Sequence, residues 1–344
     1  MNKLLVFFLL SFLLFACKSK EKEVEPVNLL SDVAFVVSGD SRTVEVIDLV
    51  NQQVLTTYSI TEEADRFPHH IYLSADKQRL AIANPAYDFS QGHLGLHGKE
   101  IPGGIVVLDA HSGEKLHDIA VPFANHNALF SPDDSQIWTT GFSHSGKAYV
   151  YNSDNGNALF EVQVDADPSE ILFTNDGQNA VVRSGESTFV QFINLEEKAV
   201  TKIVKVDLSA GNVWPGYDDI VLVSNSDRNS VNFVNTLTYT VTDFLDFDFS
   251  PGFLTYNELT KELWVCNSTD NNLEIFQKEE GTWKQTGVMQ FLEADPHMLK
   301  FYDGGKKALL VNQKENTAVF IDAVSKESLK TISVGSKPNG IAIL

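Results

Sequence analysis

The chain is poor in cysteine, in positive charge and in long apolar runs, and each shortage closes off a class of protein. Two cysteines, Cys17 and Cys266, stand among 344 residues, so neither a disulfide framework nor a cysteine-based haem-attachment motif can be built. Lys and Arg number 26 against 46 Asp and Glu, a formal charge of -20. That balance removes the basic footprint of nucleic-acid binding and electrostatic docking onto anionic lipid. It leaves room for a cationic ligand, a metal ion included. The apolar run over residues 4–15 is too short for a membrane-spanning helix. A Gly-x-Ser-x-Gly nucleophile elbow, a His-Glu-x-x-His zinc motif and a glycine loop with a phosphate-binding lysine are all missing.

What is present is a repeat. Copies open at His69-His70-Ile71-Tyr72, His126-Asn127-Ala128-Leu129, Ser169-Glu170-Ile171-Leu172, Gly252-Phe253-Leu254-Thr255, His297-Met298-Leu299-Lys300 and Asn339-Gly340-Ile341-Ala342, with a degenerate seventh through Trp214-Pro215-Gly216. Pro68, Pro168, Pro251, Pro296 and Pro338 precede five of them. A period of roughly 40–45 residues made of short strands predicts a β-propeller, each repeat being one four-stranded blade. Asp, Asn and Gly mark the A–B turns at Ala75-Asp76, Asn175-Asp176-Gly177 and Asp303-Gly304-Gly305. Strand C is expected to alternate and to end in Asp or Asn (Asp48, Asp109, Asn194, Asn235, Asp322), placed to cap the C–D turn rather than to act as a catalytic acid. The body begins with strands B, C and D, and residues 338–344 supply a lone A strand. Joining these two ends makes a seventh blade and closes the ring, so the expected fold is all-β, a seven-bladed propeller over residues 32–344.

Pro-x-x-hydrophobic slots, Ser131-Pro132-Asp133-Asp134 and the Val-x-Val-Ile-Asp strand resemble the YVTN-type propellers, themselves similar to the propellers of cytochrome d1 and nitrous oxide reductase. The resemblance implies the fold and leaves activity open, because such propellers carry enzymes, cofactor sites and plain interaction surfaces. Residues 1–16 read as an export signal. Leu14-Phe15-Ala16-Cys17 resembles a bacterial lipoprotein signal, which implies acylation of Cys17; ordinary secretion with a free Cys17 is the alternative. Residues 17–31 then form a solvated tether, and the protein is expected on the bacterial envelope, lipid-anchored to the outer membrane and monomeric. Cys266, inside an apolar strand, is expected to be a buried small hydrophobe.

Circular symmetry would bring the A-strand entrances together around one channel. His69, His126 and His297 occupy that slot and are the first candidates for a metal site. His70, His93, His97, His144, Trp214 and Met298 are further ligand-binding candidates on the same face. His93 and His97 lie in an unusually long B–C connection, 85–103, with the aromatic residues to fold over the channel mouth. Imidazoles suit zinc, copper or iron, and a Met298 thioether would favour copper. In the nitrous oxide reductase propeller, histidines hold a copper cluster, and the His69-His70 pair resembles part of that set. Ser169, Gly252 and Asn339 stand at other slots, so a seven-histidine cluster is excluded. Adjacent strand residues point oppositely, so His69 and His70 can serve one ion only across a bulge. Three readings follow: a transition metal or metallo-cofactor site, a pocket for a small organic or anionic ligand, or structural histidines in a scaffold that grips an envelope protein or glycan. A propeller enzyme of lactonase or reductase type comes after these.

Overall fold

Turn chemistry delimits the strands. Asp48 Oδ1 accepts the N–H groups of Val50 and Asn51, both at 2.8 Å. Asp109, Asn152, Asn194, Asn235 and Asp322 do the same for the two N–H groups that follow in their own turns. A side chain that satisfies two turn donors reverses the chain after strand C in blade after blade.

The computed structural model describes residues 32–185, 187–207, 211–292 and 294–344, without the side chains of His93 and Leu94. The expected signal and tether, Cys17 among them, lie outside the described residues. The strands form seven antiparallel four-stranded sheets, each ordered A-B-C-D from the channel outwards. Strand A is Pro338–Ile343 in blade 1, His69–Leu73 in blade 2, Ala128–Phe130 in blade 3 and Pro168–Phe173 in blade 4. It is Val213–Pro215 in blade 5, Leu254–Asn257 in blade 6 and Pro296–Tyr302 in blade 7. Each strand A packs against the preceding blade, all the way round. Blade 1 joins the two ends of the chain, with Ala34 opposite Ile343 and Val36 opposite Ile341. The fold is therefore all-β, a seven-bladed propeller.

The core lies between blades as a ring of apolar layers. Phe35, Leu80, Ile82 and Val106 join blades 1 and 2, while Trp138, Ala148, Ile171 and Val182 join blades 3 and 4. Strand C departs from the expected alternation: Gly103–Asp109 is buried along nearly its whole length, because a neighbouring blade covers each of its faces. Strand D is outermost and largely exposed, as in Gln53–Ser59, where only Tyr58 is buried. Trp138 and Trp264 are among the largest fully buried side chains. Cutting either to alanine should cost about 3–5 kcal/mol. Cys266 is buried in strand B of blade 6, where burial, and then the charge of Asp295, push its thiol pKa well up. It is an inert core residue. Among the described residues, no helix is long and apolar enough to cross a membrane.

Candidate functional site at the channel mouth

β-Bulges build the site. In blade 2 the A–B register shifts between His69 and Ile71, leaving His70 as the extra residue with φ of 35°. In blade 7 the shift falls between Pro296 and Met298, at His297, and in blade 4 between Pro168 and Ile171, around Glu170. A bulge re-aims the side chain it carries, and here it turns His70, Glu170 and His297 toward the channel. The positive φ of His70 is uncommon for a non-glycine residue, and such conformations persist where their surroundings hold them. Part of that hold is Gly340 of blade 1, where a Cβ would come 2.8 Å from the Cα of His70.

The bulge in blade 2 lets neighbouring histidines share one space. Ring centroids of His69 and His70 are 4.3 Å apart, those of His69 and His126 4.3 Å, and those of His70 and His126 4.7 Å. One imidazole nitrogen from each of the three lies within 4.8 Å of the other two, and all three residues are buried. His297 is half-buried beside them, its ring 5.7 Å from His69 and 6.4 Å from His70. Trp214 stands 6.0 Å from His70 on the other wall. Phe89, from the long loop, closes edge-on over His126 at 4.7 Å and His69 at 5.5 Å. These residues line a cavity of about 350 Å³.

No motif singles out Glu170, yet it stands directly against the channel histidines. It is fully buried, and its Oε1 is 2.7 Å from His126 Nδ1 in a hydrogen bond. The same oxygen is 3.0 Å from His70 Nδ1, in contact but without hydrogen-bond alignment. Oε2 has no hydrogen-bond partner among the described residues. Burial pushes the Glu170 pKa up, but the charge of His70 and the hydrogen bond to His126 outweigh it and hold the group at about 2. Burial pushes His70 down, against the pull of Glu170. It pushes His297 down to about 3, helped by His70 and His126. Lys300 is also pushed down by burial, again opposed by Glu170. The result is a carboxylate held in its ionised form among imidazoles. The available signal was its slot: Glu170 takes the second position of its repeat, as His70 does.

The loop is ordered over the mouth by contacts in the structure. Asp88 caps the turn Phe89–Gln91 through Ser90 N–H and takes a 2.6 Å ion pair from Lys337 of blade 1. Phe89, Leu96, Ala124 and Phe142 form a small core beneath it. A short 3-10 turn spans His93–Leu96, and His97 ends it.

Three candidates fall elsewhere. Met298 packs in the core between blades, held there by the apolar layer around it and by the Ile341 N–H that its Sδ accepts at 3.3 Å. His97 and His144 leave the channel set and meet each other instead, with ring centroids 5.8 Å apart. The His93 side chain lies outside the described residues. Tyr217, three residues after Trp214, packs against Tyr256 with ring centroids 4.2 Å apart and tilted by 34°.

No protein-family model matches the sequence, and no curated protein matches it. Solved structures do. A putative 6-phosphogluconolactonase from Bacteroides fragilis superposes with a TM-score of 0.71 at 15% identity, covering 93% of this chain and 100% of that one. The periplasmic gluconolactonase PpgL of Pseudomonas aeruginosa gives 0.71 at 15%, covering 91% and 99%. Dihydro-heme d1 dehydrogenase NirN, solved in complex with DHE, gives 0.65 at 14%, covering 96% and 78%. At such identities the likeness is one of fold alone, that of a seven-bladed β-propeller.

Proposed function

We propose that this protein binds a divalent transition-metal ion, or a small metallo-cofactor, at the channel mouth through His69, His70 and His126, with His297 at its edge. The observation that carries the reading is the shared Glu170 oxygen. Metal-binding histidines almost always give their second ring nitrogen to a carboxylate or carbonyl, which fixes the ring and raises the basicity of the free nitrogen. Glu170 offers this to His126 through a hydrogen bond and contacts His70. A buried ionised carboxylate is costly unless its charge is compensated, and a cation held by the neighbouring imidazoles would add to that compensation. With Met298 turned into the core, the donor set is imidazole, which suits zinc, copper or iron. The cavity, near the lower end of the usual range of about 300–1,000 Å³ for small-molecule sites, has room for a small second ligand beside the ion.

In this reading the leader delivers the chain to the bacterial envelope, where Cys17 is acylated and residues 17–31 tether the propeller. One structural neighbour, PpgL, is described as periplasmic, in keeping with that location. The rival is a scaffold in which the His126–Glu170 hydrogen bond merely ties blade 3 to blade 4. Elemental analysis of untagged protein, purified without chelator and reloaded separately with zinc, copper and iron(II), separates the two. Stoichiometric metal that His69→Ala/His126→Ala removes supports the metal site. A wild-type protein that retains none of the three ions at this site leaves the scaffold reading standing.

A further inference from the structure

We propose a second metal site, separate from the channel, formed by His97, His144 and Asp167. The three come from different places: His97 from the long loop of blade 2, His144 from the B–C turn of blade 3, and Asp167 from the entrance to strand A of blade 4. Nothing in local sequence links them. Their nearest ligand atoms nevertheless fall within 4.8 Å of one another. His97 Nδ1 is 3.3 Å and His144 Nδ1 3.7 Å from the same carboxylate oxygen, Asp167 Oδ2.

The chemistry differs from that of the channel mouth. Two imidazoles and a carboxylate make an N2O donor set, the kind zinc takes when it keeps a fourth position for water or another ligand. The exposures suit such a site. The Asp167 side chain is 1% exposed, while those of His97 and His144 are 40% and 54% exposed, so the carboxylate forms the floor and the imidazoles a rim open to solvent. Asp167 is held in a left-handed conformation, φ of 53°, with its N–H bonded to Ser143 O at 2.9 Å and its C=O accepting from Gly185. This fixes the carboxylate by backbone contacts on both sides before any ion arrives. His144 and Asp167 line a cavity of about 340 Å³, shared with Lys99 and Glu100 of the long loop.

The site's position suggests its role. Lys337 holds the Asp88 end of the loop to blade 1, and an ion on His97 would hold the other end to blades 3 and 4. Phe89, which roofs the channel histidines, lies between these two ties. Metal at the second site therefore clamps the cover of the first, although its existence does not depend on the channel being metallated.

The test uses the full chain, stripped with chelator and titrated with zinc alone. Calorimetry and elemental analysis are compared for wild type, His97→Ala/His144→Ala and His69→Ala/His126→Ala. The first pair of residues is largely exposed, so its variant should keep the wild-type melting temperature. The expected result is one zinc equivalent lost in His97→Ala/His144→Ala and retained in His69→Ala/His126→Ala. Zinc should also slow proteolytic cleavage within residues 85–102 of wild type and not of the His97→Ala/His144→Ala variant. Equal zinc stoichiometry and affinity in wild type and that variant would overturn the proposal. Loss of zinc only in His69→Ala/His126→Ala would do so too, while leaving the channel site intact.

Discussion

Glu170 is the residue on which the channel site turns. Replacing it with glutamine keeps the size and an acceptor oxygen for His126 but removes the charge. Glu170→Gln should fold as wild type does and bind metal about 10–100-fold more weakly, the usual cost of losing an orienting partner behind a ligand. Competition against a chromophoric chelator measures this. An unchanged affinity would reduce Glu170 to an inter-blade tie. Some of this residue-scale picture was legible in the sequence, because His69, His126 and His297 share a repeat slot. The rest was hidden by bulges. Period-two alternation sets His69 against His70, and one extra residue in the strand overturns that expectation.

At the scale of the strand, the repeated C–D caps decide how the protein meets acid. Asp48 lies below its ordinary value of 3.8, chiefly through the Asn51 N–H, and Asp322 is likewise lowered, chiefly through that of Ser325. A carboxyl whose pKa is depressed by folding contributes stability above its unfolded value, and that contribution disappears as pH falls through the folded one. Melting temperature should therefore drop below about pH 4 as the caps protonate. Asp48→Asn keeps the acceptor and removes the titration, so its melting temperature should fall less steeply between pH 4 and pH 2 in thermal scans; a slope equal to wild type would deny the cap this role. These caps could be read directly from sequence, because an Asp or Asn closes strand C in most repeats. Full burial of strand C could not be read that way. It depends on which blade stands on each side, and a single strand carries no record of that.

For the whole molecule, the ring is closed by a strand at the chain's far end. Removing residues 337–344 takes away strand A of blade 1, the Lys337 tie to Asp88 and the Gly340 support beneath His70. The shortened chain should lose its cooperative thermal transition and elute as aggregate on size exclusion, since strand B of blade 1 becomes an open edge. A monomer with wild-type melting would contradict the closure. Seven-fold organisation was the most legible property of the sequence, because repetition survives even where individual slots have diverged, as at Trp214. The meeting of His97, His144 and Asp167 was the least legible, since three loops from three blades share no motif.

Asn339 donates to Pro68 O at 3.1 Å, across a sequence separation of 271. During synthesis, the residues that brace the histidine pair thus emerge long after the pair itself. A nascent chain stopped anywhere short of its final strand carries the imidazoles without the support that holds them together. The gathering of the imidazoles is consequently a late event, one that waits on the strand that closes the ring.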